Sequence, residues 1–339
     1  MKLRKIVGVT LCFLMIGFPV FAGGRGEARD QRIDISCGAG SVGGVFFVMA
    51  AAVGTIVNRH VPEVHFTPVT TAGGHESANR LNRGGMQAYA ATADIAYVAH
   101  HGGDPDRPNI QPGRNIRTWF MTEPAPFMLV ARADNPNVTN FYDIWTPGMR
   151  LGTSPAGMAA RDLLQRMSAT LGRSYSALNK HGMGHEQTMG ALRDRNIDLV
   201  FSGSGTLTAP NSAYQDLANS VRLNMFDMPE HLRDSIVNEL PYWGKFTLAP
   251  NWLPGFDRPT NVVAIRTAFH ICATVPDEIV YKMTAAVFEN LDELRRIAYA
   301  PFRPLGPTTA ASGAVVPFHP GALRYFQENG FDILFLGSD

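Results

Sequence analysis

Glycines, hydroxyls and histidines are the chemistry-bearing residues of this chain, and they gather where apolar runs end. The first group follows Ile33 and Ile35: Gly38-Ala39-Gly40-Ser41-Val42-Gly43-Gly44, leading into the apolar run Val45 to Val57. The pattern predicts strand, glycine turn, helix. The first N–H groups of a helix lack internal partners, and its dipole favours an anion there. Glycine lets the chain turn tightly and lets a ligand approach the backbone. Three readings of the turn stand side by side: a cradle for a non-nucleotide anion, a dinucleotide site, and a bare structural turn. Gly38, Gly40 and Gly43 satisfy G-x-G-x-x-G. The dinucleotide site also needs an acid at the end of the next strand, and the run Val64 to Val69 ends instead in Thr70, Thr71 and Ala72.

The same device recurs. Gly73 and Gly74 follow the second strand and lead through His75-Glu76-Ser77 into a helix reaching Asn82. Ala93 to Val98 reads as a buried strand ending at His100-His101. Met149 to Gly152, then Thr153-Ser154-Pro155-Ala156-Gly157, then a helix from Met158 to Leu171 form a third unit. Ile197 to Phe201 is a strand ending in Ser202-Gly203-Ser204-Gly205, and Val221 to Met225 another. Turns at the ends of neighbouring parallel strands converge on one crevice. His100 can donate to a carboxylate there, and Ser202 can supply a hydroxyl.

Other chemistries fit less well. Gly152-Thr153-Ser154-Pro155-Ala156 imitates a serine nucleophile elbow. Pro155, however, has no N–H, the group an oxyanion hole needs after the nucleophile. His181 and His185 sit four apart, but Gly182 and Gly184 argue against a helix that would bring them to one face. No H-E-x-x-H occurs, so no metal site is expected. Asp94 and Asp198, in apolar runs, read as caps or ion-pair partners. Arg80 and Arg161 follow glycine turns and read as solvated helix faces. His319 reads as fixing the terminal helix. No adjacent acidic pair suggests acid–base catalysis. The chain is read as a non-enzyme without cofactor, its ligand charge met mainly by backbone N–H groups.

The elements that must position these residues follow from the rest of the chain. Lys2, Arg4 and Lys5 precede the uncharged run Ile6 to Phe18, and small residues end at Ala22. Residues 1–22 thus read as a secretory signal peptide. Cys12 lacks the small residue a lipobox requires, so a soluble, periplasmic protein is expected. The remaining chain has nearly balanced charge, which argues against a nucleic-acid groove, and is long enough for two cores. Cys37 and Cys272 could pair or stay as buried thiols. A strand from Phe127 to Arg132 reads as the crossing into a second lobe, and Asn261 to Ile265 as the return, with irregular chain from Leu240 to Gly255 between. Pro276 opens a helix to about Asn290, and a short helix runs from Leu323 to Glu328. The fold class expected is α/β, two-lobed, with lobe I from 23–126 and 256–339, lobe II from 127–255, and two hinge crossings. Such a layout closes over a small solute.

The segments GAGSVGGVFF, AGGHES, ADIAYVAH, LGTSPAGM, LPYWGKFTLAPNWLPGF and, most specifically, FHPGALRYFQENG resemble the TAXI-type solute receptors of TRAP transporters. The resemblance covers nearly all of the chain after Ala22. It implies a type II-like periplasmic binding-protein fold, capture of a small carboxylate such as an amino acid or dicarboxylate, and delivery to a membrane permease; a monomer is expected. With the turns and strand ends read above, the residues expected to hold the ligand are Gly40, Ser41, Val42, Gly43, Phe46, Phe47, Gly73, Gly74, His75, His100, Thr153, Ser154, Ala156, Gly157, Met158, Ser202, Gly203 and Trp252. Phe46 and Phe47 stand where that family has tyrosines, His75 where it has a serine, Ala156 and Met158 where it has hydroxyl residues, and Trp252 where it has a tyrosine. These departures point to a ligand with an apolar or aromatic body.

Overall fold

The computed structural model describes residues 32–40, 42, 44–105, 107–155, 158–203 and 205–337. The expected signal peptide, with Ser41, Gly43, Ala156, Gly157 and Ser204, lies outside the described residues.

Strand and helix alternate first: β1 (Ile33–Gly38), α1 (Val45–His60), β2 (Val64–Val69), α2 (Gly74–Asn82), β3 (Ala88–Thr92) and α3 (Ala93–His100). The long β4 (Ile116–Arg132) follows, then a 3-10 turn at Phe141–Trp145. Next come β5 (Arg150–Thr153), α4 (Ala159–Thr170), β6 (Asn179–Gly182), α5 (His185–Arg193), β7 (Leu199–Gly203), α6 (Ser212–Ser220), β8 (Leu223–Phe226), α7 (Glu230–Glu239) and β9 (Trp243–Leu248). The chain returns through β10 (Thr260–Cys272) to α8 (Asp277–Glu289), α9 (Leu291–Ile297), α10 (Tyr299–Phe302), β11 (Ser312–Ala314), α11 (Pro320–Glu328) and β12 (Leu334–Phe335). No described helix is long and apolar enough to cross a membrane.

One mixed sheet organises the molecule, in the order β2-β1-β3-β10-β4-β7-β5-β6, with β8 beside β4 and β9 beside β10. Parallel pairing joins β2, β1 and β3 at one end and β6, β5 and β7 at the other. The two long strands β4 and β10 run antiparallel to each other through the middle and belong to both ends. Their register breaks between Ile265 and Thr267, opposite Thr122 to Ala125, where β4 carries Pro124 and Pro126. Proline cannot donate to the ladder, so an irregularity here is expected.

Burial follows the period of two. Phe127, Leu129 and Ala131 of β4 pack with Leu151, Leu163 and Phe201, while Met128 and Val130 pack on the other face with Leu192 and Tyr214. A third core gathers β1, β2 and β3 against α1, α8 and α11, with Ile35, Val53, Phe66, Val280 and Phe326 within it. His319 behaves as expected: its Nδ1 accepts the Gly321 N–H at the start of α11.

Several local expectations are corrected. Ala93 to Val98 is helix, not strand; the strand is Ala88 to Thr92 just before it. A run buried on all sides carries no period that separates the two forms. His100 therefore ends a helix rather than a strand. The chain from Leu240 to Gly255 contains β9, paired along β10 from Thr260 to Ile265. Both cysteines are buried free thiols. Arg161 does not lie in solvent: its Nε donates to the Ser154 carbonyl at 3.0 Å. Asp94 and Asp198, by contrast, are ion-pair partners as expected, of Arg107 and Arg150.

Candidate functional site: a cleft ringed by helix starts

A cleft of about 920 Å³ opens where the helices that follow the two parallel strand sets begin. Its wall includes the first residues of five helices: Val45 of α1, Gly74 of α2, Ala159 of α4, His185 of α5 and Ser212 of α6. Only α6 has a side-chain cap among these, from Asn211 Oδ1 to the Tyr214 N–H at 3.0 Å. The residues before the other four, Gly44, Gly73, Met158 and Gly184, make no side-chain cap bond. Four helix starts, two from each end of the sheet, thus meet at one space without a side-chain cap from the residue before them, among the described residues. Each such end carries about half a positive charge and unpaired donors.

Thr71 ties the first two turns together. Its Oγ1 accepts the Gly40 N–H at 3.1 Å and the Gly73 N–H at 3.3 Å, and lies 2.9 Å from Ser77 Oγ. Gly40 and Gly73 have φ of +74° and +123°, which residues with a Cβ rarely adopt. Glu76 reaches back to the Ala72 N–H at 2.6 Å. His75 lines the cleft with its Nδ1 2.8 Å from Asn109 Nδ2. An amide donor there makes Nδ1 the acceptor and leaves the proton on Nε2. Desolvation holds the His75 pKa below its ordinary value, so a neutral ring with one outward donor results.

Of the residues expected to touch a ligand, Gly40, Val42, Phe46, Gly73, Gly74, His75, Ser154, Met158 and Gly203 line the cleft together. The lining does not include Phe47, His100, Thr153, Ser202 or Trp252. Phe47 packs against the core beneath α1. Ser202 is buried, its hydroxyl 2.9 Å from that of Tyr214. Trp252 is buried and donates through Nε1 to the Thr206 carbonyl at 3.0 Å. Thr153 is fully buried. The apolar wall is built instead by Phe46, Met49, Ile95, Phe127 and Met158, with Val42 at the lip.

Sequence reading missed the charged residues of the wall: Arg107, Glu123 and Glu186, and the place of Asp94 among them. Arg107 comes from a proline-rich loop that carries no period. Glu123 sits at the register break of the central strands. Its carboxylate accepts the Thr208 hydroxyl at 3.0 Å, and burial raises its pKa. The one available signal was an acid inside an otherwise apolar strand.

An α/β fold of two parallel strand sets bridged by long antiparallel strands, with a cleft ringed by helix starts, is the fold of the periplasmic solute-binding proteins. A family model matches residues 37–330, and the chain belongs to the NMT1-like family. Among solved structures, one described as a periplasmic transporter matches with a TM-score of 0.51 at 13% identity, over 87% of this chain and 92% of that one. The periplasmic aliphatic sulphonate binding protein SsuA from Escherichia coli matches with a TM-score of 0.46 at 12% identity, over 80% of each chain. A putative L-cystine ABC transporter from Listeria monocytogenes matches at 0.45 and 13%, over 81% of this chain and 97% of that one. At 13% identity the likeness to the first of these is one of fold.

Proposed function

We propose that the protein is an extracytoplasmic solute receptor of a TRAP transporter of the TAXI type, periplasmic and without catalytic activity. It takes a small carboxylate into the cleft and hands it to a membrane permease. The observation that carries this reading is the gathering of four helix starts around one space, none capped by the side chain before it. Converging N–H groups and helix dipoles favour an anion without needing a surplus of basic side chains. The apolar wall of Phe46, Met49, Phe127 and Met158 supports an acid with an apolar or aromatic body. Residues 32–126 with 256–337 act as one lobe and 127–255 as the other, hinged where β4 and β10 lose register. Ligand binding then selects a closed form that the permease recognises.

Mass spectrometry of the ligand retained through native purification tests the reading, with thermal-shift screening of carboxylates beside it. Recovery of an organic acid that also stabilises the apo-protein is the expected result. A protein that no carboxylate stabilises, and that carries none from the cell, would end the proposal. Service to a different transporter or a sensor is the second reading, favoured by the fold itself. A neighbouring gene for a multi-span permease separates it from the first, and a neighbouring sensor kinase supports it. Ester hydrolysis abolished by Ser154→Ala would point instead to an exported hydrolase.

A further inference from the structure

The sulfur atoms of the described residues are almost all shut away. Cys37 and Cys272 are buried. Every described methionine but two is at most 7% exposed. Met183 is half-buried against a core. Met158 stands 48% exposed, and it lines the cleft. Met49 lines the same wall yet is 3% exposed. Among the described residues, the cleft therefore offers an oxidant one accessible thioether. Burial keeps both thiols from competing for that oxidant.

Met158 also precedes α4 and gives that helix no side-chain cap. Its carbonyl accepts the Arg161 N–H at 2.9 Å and the Asp162 N–H at 3.4 Å. The N–H groups of Ala159 and Ala160 belong to the turn that a helix leaves without internal partners. A peroxide can oxidise the thioether by two electrons. A bond forms from Met158 Sδ to one peroxide oxygen, the O–O bond breaks, and the second oxygen leaves as water with both protons. The product is a polar, chiral sulfoxide. Its oxygen is an acceptor at the position where Ser or Asp usually caps a helix, beside N–H groups that the receptor reading gives to an anion. A polar group covered by an apolar ligand body also loses its water, at a cost. Resting on that reading, we propose that Met158 is an oxidation site that governs the cleft. The thioether form takes up an acid with an apolar body, and the sulfoxide form takes it up weakly. Methionine sulfoxide reductases reverse the change: two thiols give up two electrons as a disulfide, and the sulfoxide oxygen leaves as water.

The test treats the full folded chain with hydrogen peroxide, quenches with catalase and maps the added oxygen by peptide mass. Met158 should gain one oxygen before Met183 or any buried methionine. Calorimetry then compares treated and untreated protein with 3-phenylpropanoate, 4-methylpentanoate, phenylalanine and leucine. Each acid that binds the untreated protein should bind ~10-fold or more weakly after treatment. Methionine sulfoxide reductases A and B, one for each sulfoxide epimer, should restore the affinity with dithiothreitol as the thiol. Met158→Leu, whatever its own affinity, should keep it through the same treatment. Met158→Gln, polar and of similar length, should bind as weakly as the treated parent. Oxygen appearing first on another described methionine would overturn the proposal. So would unchanged or tighter affinity with Met158 oxidised and the circular dichroism native, or an equal loss in treated Met158→Leu. Each of those results leaves the receptor reading intact. If no acid binds untreated protein and none is recovered through native purification, that reading falls, and the control of uptake falls with it.

Discussion

Thr71 and Gly40 bond each other twice: Thr71 Oγ1 accepts the Gly40 N–H at 3.1 Å, and the Thr71 N–H donates to the Gly40 carbonyl at 3.1 Å. Two glycine turns from different strands are thereby held at one distance across the cleft floor. Thr71→Val keeps the shape and removes the oxygen, so the Gly40 and Gly73 N–H groups lose an acceptor. A loss of about 1–3 kcal/mol in urea denaturation is expected, with weaker ligand binding by calorimetry. Unchanged stability and affinity would show the hydroxyl to be dispensable.

Close packing behind the second turn yields another expectation. A Cβ at Gly74 would lie 2.5 Å from Ile95 Cδ1 and 2.8 Å from Ala91 Cβ. Gly74→Ala must push α2 away from β3 and α3, which costs about 1–3 kcal/mol by overpacking. Gly306→Ala, where a Cβ meets nothing within 4 Å, is the control and should stay within about 0.5 kcal/mol of the parent. Equal melting temperatures for the two variants would contradict the packing argument.

The sequence made the repeating plan legible because its cause is local. Val64 to Val69 is a strand at the expected residues, set off by alternation and by the glycines after it. The turns at Gly40, Gly73 and Gly203 do reach one cleft. What stayed hidden depends on contacts between distant segments. Ser202 and Trp252 looked like ligand contacts, yet Tyr214 and the Thr206 carbonyl claim them. Arg107 lies in a proline-rich stretch without period, yet Asp94 fixes it in the wall. Strand β9 was hidden among prolines and tryptophans, and only its pairing with β10 reveals it. Periodicity reports the face an element buries, not the partner it finds there.

Cys37 and Cys272 should behave as a core pair of thiols rather than as a redox site. Both are buried and outside any disulfide, and burial pushes the Cys37 thiol well above its ordinary pKa. Thiolate is the reactive form, so a thiol reagent should label neither cysteine within minutes in buffer and both promptly in denaturant. Fast labelling of native protein, counted by intact mass, would refute this.

Acid should weaken the protein through its histidines before its carboxylates. His270 is fully buried and stacks on Tyr89, ring centroids 4.7 Å apart. Burial lowers its pKa to about 3, with the charge of Asp94 working the other way. The unfolded histidine titrates near ~6.5. Below that pH the unfolded chain binds a proton that the native chain refuses until about 3. The native advantage is thus complete above ~6.5 and is lost as pH falls toward the folded pKa. His75, His100 and His319 shift in the same direction, each chiefly by desolvation. Glu123 and Asp162, whose pKa values burial raises, act with the opposite sign, but only nearer the carboxylate range. Urea midpoints should therefore fall between pH 7 and 5. His270→Phe keeps the stack with Tyr89 and removes one titrating group, so its midpoint should fall less steeply over that interval. Parallel curves for parent and variant would show that His270 takes no part in the acid response.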